Sequence, residues 1–97
     1  MTIAGLSVAA RAFSLYDPSI DIELRVADGQ AVPEGTTLMH LQGPARSLLT
    51  VERTALNLIQ HLSGIATLTA QYVERIAGTG AQLVDTRKTT PGLRALE

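Results

Sequence analysis

Two basic side chains, Arg87 and Lys88, stand among three hydroxyl side chains, Thr86, Thr89 and Thr90. An arginine guanidinium is a planar fork of donors that fits a carboxylate or a phosphate, and a lysine ammonium is a compact positive charge. A solvated polar turn is the commoner explanation of an Arg-Lys pair in a loop. An anion site is favoured here because Lys88 is the only lysine of the chain and a Pro-Gly pair closes the segment.

Arg53 is a further candidate, although its surroundings in the sequence are those of an ordinary helix residue. It follows Glu52 in a long helical pattern, where it could simply form a weak ion pair on the surface. It could also project from the helix to meet an anion, across a subunit boundary. His40 and His61 have no carboxylate at helical spacing that would tune them. No spacing of His, Asp or Glu predicts a metal site.

The elements around the basic pair predict a site at the end of a strand. A short apolar run, residues 81–84, predicts a buried strand, and residues 93–97 predict the start of a helix. Ligands of α/β proteins bind at the carboxyl ends of strands, which is where the loop of residues 85–92 lies. Strand, polar loop and helix form the opening unit of an α/β sheet or barrel. We therefore expect the chain to be an incomplete part of a larger domain.

Earlier in the chain, hydrophobic periodicity predicts one short helix and two strands. The helix covers residues 8–16, with a predicted inner face that includes Val8, Phe13 and Tyr16. Alternating apolar and charged residues predict a half-buried strand over residues 20–26, and a second strand covers residues 37–41. Turn signals containing glycine separate the two strands.

The longest helical pattern covers residues 44–62, and a second one carries helix on to about residue 77. Ser63 and Gly64 separate them. The interruption predicts either a kink in one helix or a joint between two.

The composition excludes several classes of protein. With 97 residues, of which 45% are hydrophobic and 18% charged, the chain can form one small domain, and three aromatic residues leave its core largely aliphatic. A net charge of -1 gives the whole chain no attraction for nucleic acid or an anionic membrane. There is no cysteine, no apolar run of roughly 18 residues and no signal-peptide pattern, so we expect a cytoplasmic protein.

Three motifs, residues 49–57, 62–67 and 84–94, resemble in order and with matching gaps the quinolinate phosphoribosyltransferases, also called nicotinate-nucleotide pyrophosphorylases (carboxylating). The resemblance runs from about residue 5 to residue 97. It implies an α+β chain in which an α/β sandwich with a hammerhead-like strand arrangement precedes an open α/β barrel. Residues 1–62 would be part of the sandwich domain with its long helix. Residues 63–97 would be the connecting helix with the first strand and loop of an incomplete barrel.

The resemblance also implies a reaction. Such enzymes combine quinolinate with phosphoribosyl pyrophosphate, using Mg²⁺, to give nicotinate mononucleotide, pyrophosphate and CO₂ for NAD biosynthesis. By position, Arg87 with Thr86 resembles the contact to a quinolinate carboxylate, and Lys88 resembles the residue near phosphoribosyl pyrophosphate. Arg53 resembles an arginine that reaches the neighbouring subunit's site in a homodimer. The resemblance assigns no catalytic residue and no metal ligand to this chain, and we expect the isolated chain to be inactive.

Two alternatives share part of this pattern. Pyrophosphorylase-like proteins linked to molybdenum transport have the same motifs, and the residues that would distinguish them lie past Glu97. A small non-catalytic binding or assembly module could also be built on hammerhead-like strands. It would be a stable monomer indifferent to both substrates.

Overall fold

The computed structural model describes residues 1–85 and 88–97, in which two helices and two strands are found. In chain order these are α1 (Leu6–Tyr16), β1 (Asp21–Leu24), β2 (Met39–Gln42) and α2 (Ala45–Ile76). The helices α1 and α2 pack on each other, and β1 pairs with β2 in an antiparallel two-stranded sheet. The described part of the chain is therefore a small α+β unit, and the early helix and both strands predicted from the sequence are confirmed.

The face that α1 turns to the core differs from the predicted one. Leu6, Ala9 and Phe13 are buried, whereas Tyr16 is 54% exposed. Phe13 packs in a cluster with Ala9 and Val51 of α2. Burial of one such large apolar side chain stabilises the fold by about 1.5–3 kcal/mol. The helix is thus rotated from the expected orientation, and Phe13 is the one aromatic side chain in the described core.

Gly5 allows α1 to start close against α2. Its φ of 91° lies in the left-handed region, and a Cβ atom there would stand 2.9 Å from Cδ1 of Leu62. Gly5 has no side chain with which to cap the helix. The carboxylate of Asp28 accepts a hydrogen bond from the Leu6 N–H at 2.9 Å instead. A residue with a side chain would meet both backbone strain and a steric clash at this position.

The first residues of the chain are bound to α2 by two hydroxyl groups. The Ser63 hydroxyl accepts a hydrogen bond from the Ala4 N–H at 3.0 Å and donates one to the Ala4 carbonyl at 3.1 Å. One helical turn later, the Thr67 hydroxyl accepts from the Thr2 N–H at 2.9 Å and donates to the Thr2 carbonyl at 3.3 Å. Two side chains of a helix thus satisfy the backbone of an extended segment, as a neighbouring strand would.

The opposite edge of the same segment is bound by the turn that contains Gly29. The Ile3 N–H donates to the Gln30 carbonyl at 3.0 Å, and the Gly29 N–H donates to the Ile3 carbonyl at 2.7 Å. Ile3 itself is buried with Leu6. The N-terminal segment therefore lies between the turn and α2, with both of its hydrogen-bonding edges occupied.

The predicted joint between two helices is wrong, because α2 is a single helix of 32 residues. Ser63 does not disturb it, since its hydroxyl bonds Ala4 rather than the backbone of its own helix. Gly64 is exposed, and no atom lies within 4 Å of where its Cβ would be. A glycine at such a position lowers helix stability by about 1 kcal/mol, which a long packed helix tolerates. The two predicted helical segments are therefore one.

The segment after α2 is less regular than the sequence predicts. Residues 81–85 form no strand, and the described residues contain no strand beside them with which they could pair. Residues 93–97 form a turn in which the Leu96 and Glu97 N–H groups donate to the Leu93 carbonyl. The proposed barrel strand thus stays a prediction. Within residues 1–85 and 88–97, no helix is both long and apolar enough to cross a membrane.

The Ser63 hydroxyl can be tested by removing it. We expect Ser63→Ala to lower the free energy of unfolding by about 1–3 kcal/mol, because the Ala4 N–H and carbonyl would lose their partner in a partly buried position. The measurement is urea unfolding followed by circular dichroism. Ser7→Ala, which removes an exposed hydroxyl of α1, is the control and should change stability by less than about 0.5 kcal/mol. Equal effects of the two changes would contradict the anchoring role of Ser63.

Gly5 and Gly35 separate backbone strain from steric clash. Both have positive φ, 91° and 84°, but only Gly5 has an atom within 4 Å of the added Cβ. We expect Gly35→Ala to cost about 1–2 kcal/mol for its left-handed conformation, and Gly5→Ala to cost clearly more. The same urea titrations measure both changes. A Gly5→Ala protein as stable as Gly35→Ala would show that the close contact with Leu62 does not constrain the fold.

Candidate functional site

A cavity of about 490 Å³ lies between the second half of α2 and residues 83–85 and 88–97. Leu68 and Tyr72 of α2 form an apolar wall, and Lys88 and Thr89 contribute polar groups from the other side. Its volume is within the range of small-molecule sites, which are mostly apolar with a few placed polar groups. The described residues thus bring the segment predicted to bind an anion to the edge of a concave surface.

A groove of about 390 Å³ between β2 and α2 has a different character. Its lining is largely apolar, and Glu52 is the one charged side chain among the described residues that line it. A carboxylate repels an anion, so this groove does not suit an anionic ligand.

The four predicted site residues are distributed unevenly. Lys88 lines the 490 Å³ cavity, whereas Thr86 and Arg87 lie outside the described residues. Arg53 is exposed on α2 and does not line the cavity. Ile65 is the first α2 residue that does, and the twelve residues from 53 to 65 correspond to about 18 Å along a helix. Arg53 is therefore not among the described residues that line the cavity with Lys88.

Arg94 and Asp85 join the two ends of the loop. The guanidinium nitrogen of Arg94 lies 2.9 Å from a carboxylate oxygen of Asp85, with side chains that are 49% and 82% exposed. An exposed ion pair of this kind contributes about 0–1 kcal/mol. Around the cavity, the charges of Lys88 and Arg94 are thus balanced by those of Asp85 and Glu97.

Glu97 makes the contacts that sequence reasoning missed. One carboxylate oxygen accepts a hydrogen bond from the Thr90 N–H at 3.1 Å, and the other lies 2.8 Å from Nε2 of His61. Hydrogen bonds from the Thr90 hydroxyl, the His61 ring and the Thr90 N–H, in that order, lower the pKa of Glu97 from 4.5 to about 2. His61 has no carboxylate at helical spacing, and no local pattern could reveal one 36 residues away.

The residues that the structure describes do not form a metal site. No three His, Asp or Glu side chains among residues 1–85 and 88–97 come close enough to hold an ion. The described donor set therefore does not fit the Mg²⁺ that the family resemblance implies, and no metal ligand is assigned.

Two protein-family models match the chain end to end. Residues 1–63 match the family described as quinolinate phosphoribosyl transferase, N-terminal domain. Residues 65–97 match the family described as quinolinate phosphoribosyl transferase, C-terminal domain. The two matches follow each other in the order in which the names place the domains.

Curated proteins and solved structures give the same result. The chain is 56% identical over 95 residues to the probable nicotinate-nucleotide pyrophosphorylase (carboxylating) of Synechocystis, covering 98% of this chain and 32% of that protein. A protein of the same name from Bacillus subtilis is 46% identical over 94 residues, again with 97% and 32% covered. The crystal structure of NadC from Streptococcus pyogenes superposes with a TM-score of 0.92 at 44% identity, covering 98% of this chain and 34% of that one. The chain therefore spans about a third of the length of these relatives.

The titration of Glu97 tests the contact with His61 and Thr90. Because its pKa is lowered, the carboxylate stabilises the folded state above pH 4.5, and this contribution is lost as the pH falls through about 2. We expect the side-chain carboxyl carbon of Glu97 to titrate near pH 2 in an NMR experiment, and His61→Ala to move the midpoint upward. A Glu97 midpoint at its ordinary value of 4.5 would contradict the contact.

Proposed function

The chain belongs to the quinolinate phosphoribosyltransferase family, and on this premise we propose that it is part of a longer enzyme that transfers a phosphoribosyl group to quinolinate. The donor is phosphoribosyl pyrophosphate, and the products are nicotinate mononucleotide, pyrophosphate and CO₂. Such an enzyme is a pentosyltransferase of NAD biosynthesis. The observation that carries the proposal is the position of Lys88 at the 490 Å³ cavity, within the segment that matches the family's C-terminal domain.

The charges of the substrates explain why basic residues are needed. Quinolinate carries two carboxylates, and phosphoribosyl pyrophosphate carries several phosphate charges. Since the described charges around the cavity balance, this proposal requires Arg87, which is next to Lys88 in the sequence, to supply the positive excess. In this proposal Arg87 and Thr86 bind a quinolinate carboxylate, and Lys88 binds the phosphoribosyl donor. Fixed charges then stabilise the charge that develops on the departing pyrophosphate, without a protein nucleophile.

The remaining two thirds of such an enzyme would complete the fold. Val73, Leu83 and Val84 are apolar side chains that are about half exposed or more. Apolar side chains that lie close together on a surface are typical of a buried interface. We expect the open α/β barrel of the longer protein to cover them, with residues 81–84 as its first strand.

The position of Arg53 supports a role in a partner subunit. Arg53 does not line the cavity, and about 18 Å along the helix axis separates it from Ile65, the first α2 residue that does. The exposed guanidinium is free to enter a second molecule instead. We therefore propose a homodimer in which Arg53 of each subunit completes the anion site of the other.

Mg²⁺ and a cytoplasmic location are parts of the same proposal. The ion would accompany the pyrophosphate group, and its ligands would come from residues beyond this chain, because the described residues offer no such set. No step of the proposal depends on those ligands.

Mixing two inactive variants tests the activity and the shared site together. In the full-length protein, we expect Arg53→Ala and Arg87→Ala each to lower kcat/KM by about 100-fold or more, since each removes a positive charge from the anion site. When equal amounts of the two variants exchange subunits, half of the dimers are mixed. Each mixed dimer has one intact site, which combines Arg87 of one chain with Arg53 of the other. One quarter of all sites is then intact, so activity should return to about a quarter of the wild-type value. Product is measured by chromatography of nicotinate mononucleotide.

Arg11→Ala, an exposed arginine of α1, is the control and should behave as wild type. A site built within one subunit predicts no recovery, because each chain of a mixed dimer would keep its own defect. That outcome would remove Arg53 from the partner's site. Near-normal activity of Arg87→Ala would remove Arg87 from the anion site.

A further inference from the structure

We propose that His61 is a positioning residue for the loop of residues 85–92 and acts through Glu97. The inference rests on the proposed function, because the loop matters only if it binds the anionic substrates. His61 touches no substrate in this proposal. It holds the carboxylate that in turn holds the loop.

The contacts form a continuous chain from α2 to the loop. Nε2 of His61 lies 2.8 Å from one oxygen of Glu97, and the other oxygen accepts a hydrogen bond from the Thr90 N–H at 3.1 Å. Thr90 is two residues after Lys88, which lines the cavity. Both oxygens of one carboxylate are thus used to connect a helix side chain to the backbone of the loop.

The helix end of this connection lies beside buried residues of α2. Leu62 and Ser63, the next two residues of α2, are 4% and 0% exposed. Ser63 is bonded to the backbone of Ala4. His61 therefore projects from a segment that cannot shift without breaking buried contacts, and it is a fixed point from which a loop can be held.

The exposed fractions of the Glu97 and His61 side chains are consistent with a structural role for their contact. The Glu97 side chain is 9% exposed, whereas that of His61 is 44% exposed. A neutral imidazole can donate from Nε2 as well as a protonated one, so the contact does not depend on the charge of the ring. By contrast, the Asp85–Arg94 pair joins two residues of the same segment and does not tie it to α2.

The connection also reduces an electrostatic conflict. Glu97 lines the same cavity as Lys88, and an unpaired carboxylate there would repel the anions that the site is proposed to bind. Its two oxygens are directed to hydrogen-bond donors on His61 and Thr90. The loop gains a fixed position, and the carboxylate oxygens are held by these two donors.

The test compares four variants of the full-length protein with wild type: His61→Ala, His61→Gln, Glu97→Ala and the double variant His61→Ala/Glu97→Ala. We expect His61→Ala and Glu97→Ala each to raise the KM for quinolinate by about tenfold, with kcat changed by less than about twofold, because one charge-assisted hydrogen bond is lost. The double variant should be no worse than either single one, since both remove the same connection. His61→Gln should remain close to wild type, because its amide can donate to Glu97.

A second readout needs no activity. Trypsin cleaves after Lys88, and we expect this cleavage to be about tenfold faster in His61→Ala and Glu97→Ala, because the loop opens more often once the connection to α2 is lost. His40→Ala, an exposed histidine of β2 far along the chain from the loop, is the matched control and should show wild-type cleavage and kinetics.

Additive effects of His61→Ala and Glu97→Ala would overturn the proposal. So would His61→Gln being as impaired as His61→Ala, or cleavage after Lys88 at the wild-type rate in both alanine variants. If wild-type protein forms no nicotinate mononucleotide, the proposed function fails, whereas the cleavage rates still decide whether His61 and Glu97 hold the loop.

Discussion

The fold depends on the bonds that Ser63 and Thr67 of α2 make to the backbone of Ala4 and Thr2. They let a helix take the place of a neighbouring strand along one edge of the N-terminal segment, while the turn at Gly29 satisfies the other edge. The spacing of four residues along a helix matches two residues along an extended chain, since both are close to 6 Å. This match fixes how α2 lies against the start of the chain.

The same bonds determine where α1 begins and where the candidate site is built. Gly5 directly follows the bound segment, so α1 must start against Leu62, where a Cβ would not fit. Beyond Thr67, the second half of α2 continues as one helix and forms a wall of the cavity beside Lys88. His61, two residues before Ser63, connects that rigid region to the loop through Glu97. The packing of the N-terminal segment and the position of the loop are thus connected through α2.

Sequence periodicity predicted the features that depend on local pattern. The buried positions Val51, Ala55 and Leu62 of α2 follow the three- and four-residue spacing of one helix face. Periodicity failed where the structure depends on a partner that is distant in the sequence. In the sequence, Ser63 and Gly64 resemble a joint between two helices, because the bonds of the Ser63 hydroxyl to the backbone of Ala4 have no local signal. The contact between His61 and Glu97 has no local signal either. The loop of residues 85–92 was identified by its motif, whereas the ion pair between Asp85 and Arg94 became visible only in the structure.

The central claim is that this family member forms a nucleotide from quinolinate. The direct measurement is incubation of the full-length protein with carboxyl-labelled quinolinate, phosphoribosyl pyrophosphate and Mg²⁺, followed by separate quantification of labelled CO₂ and nicotinate mononucleotide. The account predicts that both products form in equal amounts, and that the 97-residue chain alone forms neither. Absence of both products from the full-length protein, or nucleotide formation by the isolated chain, would contradict it.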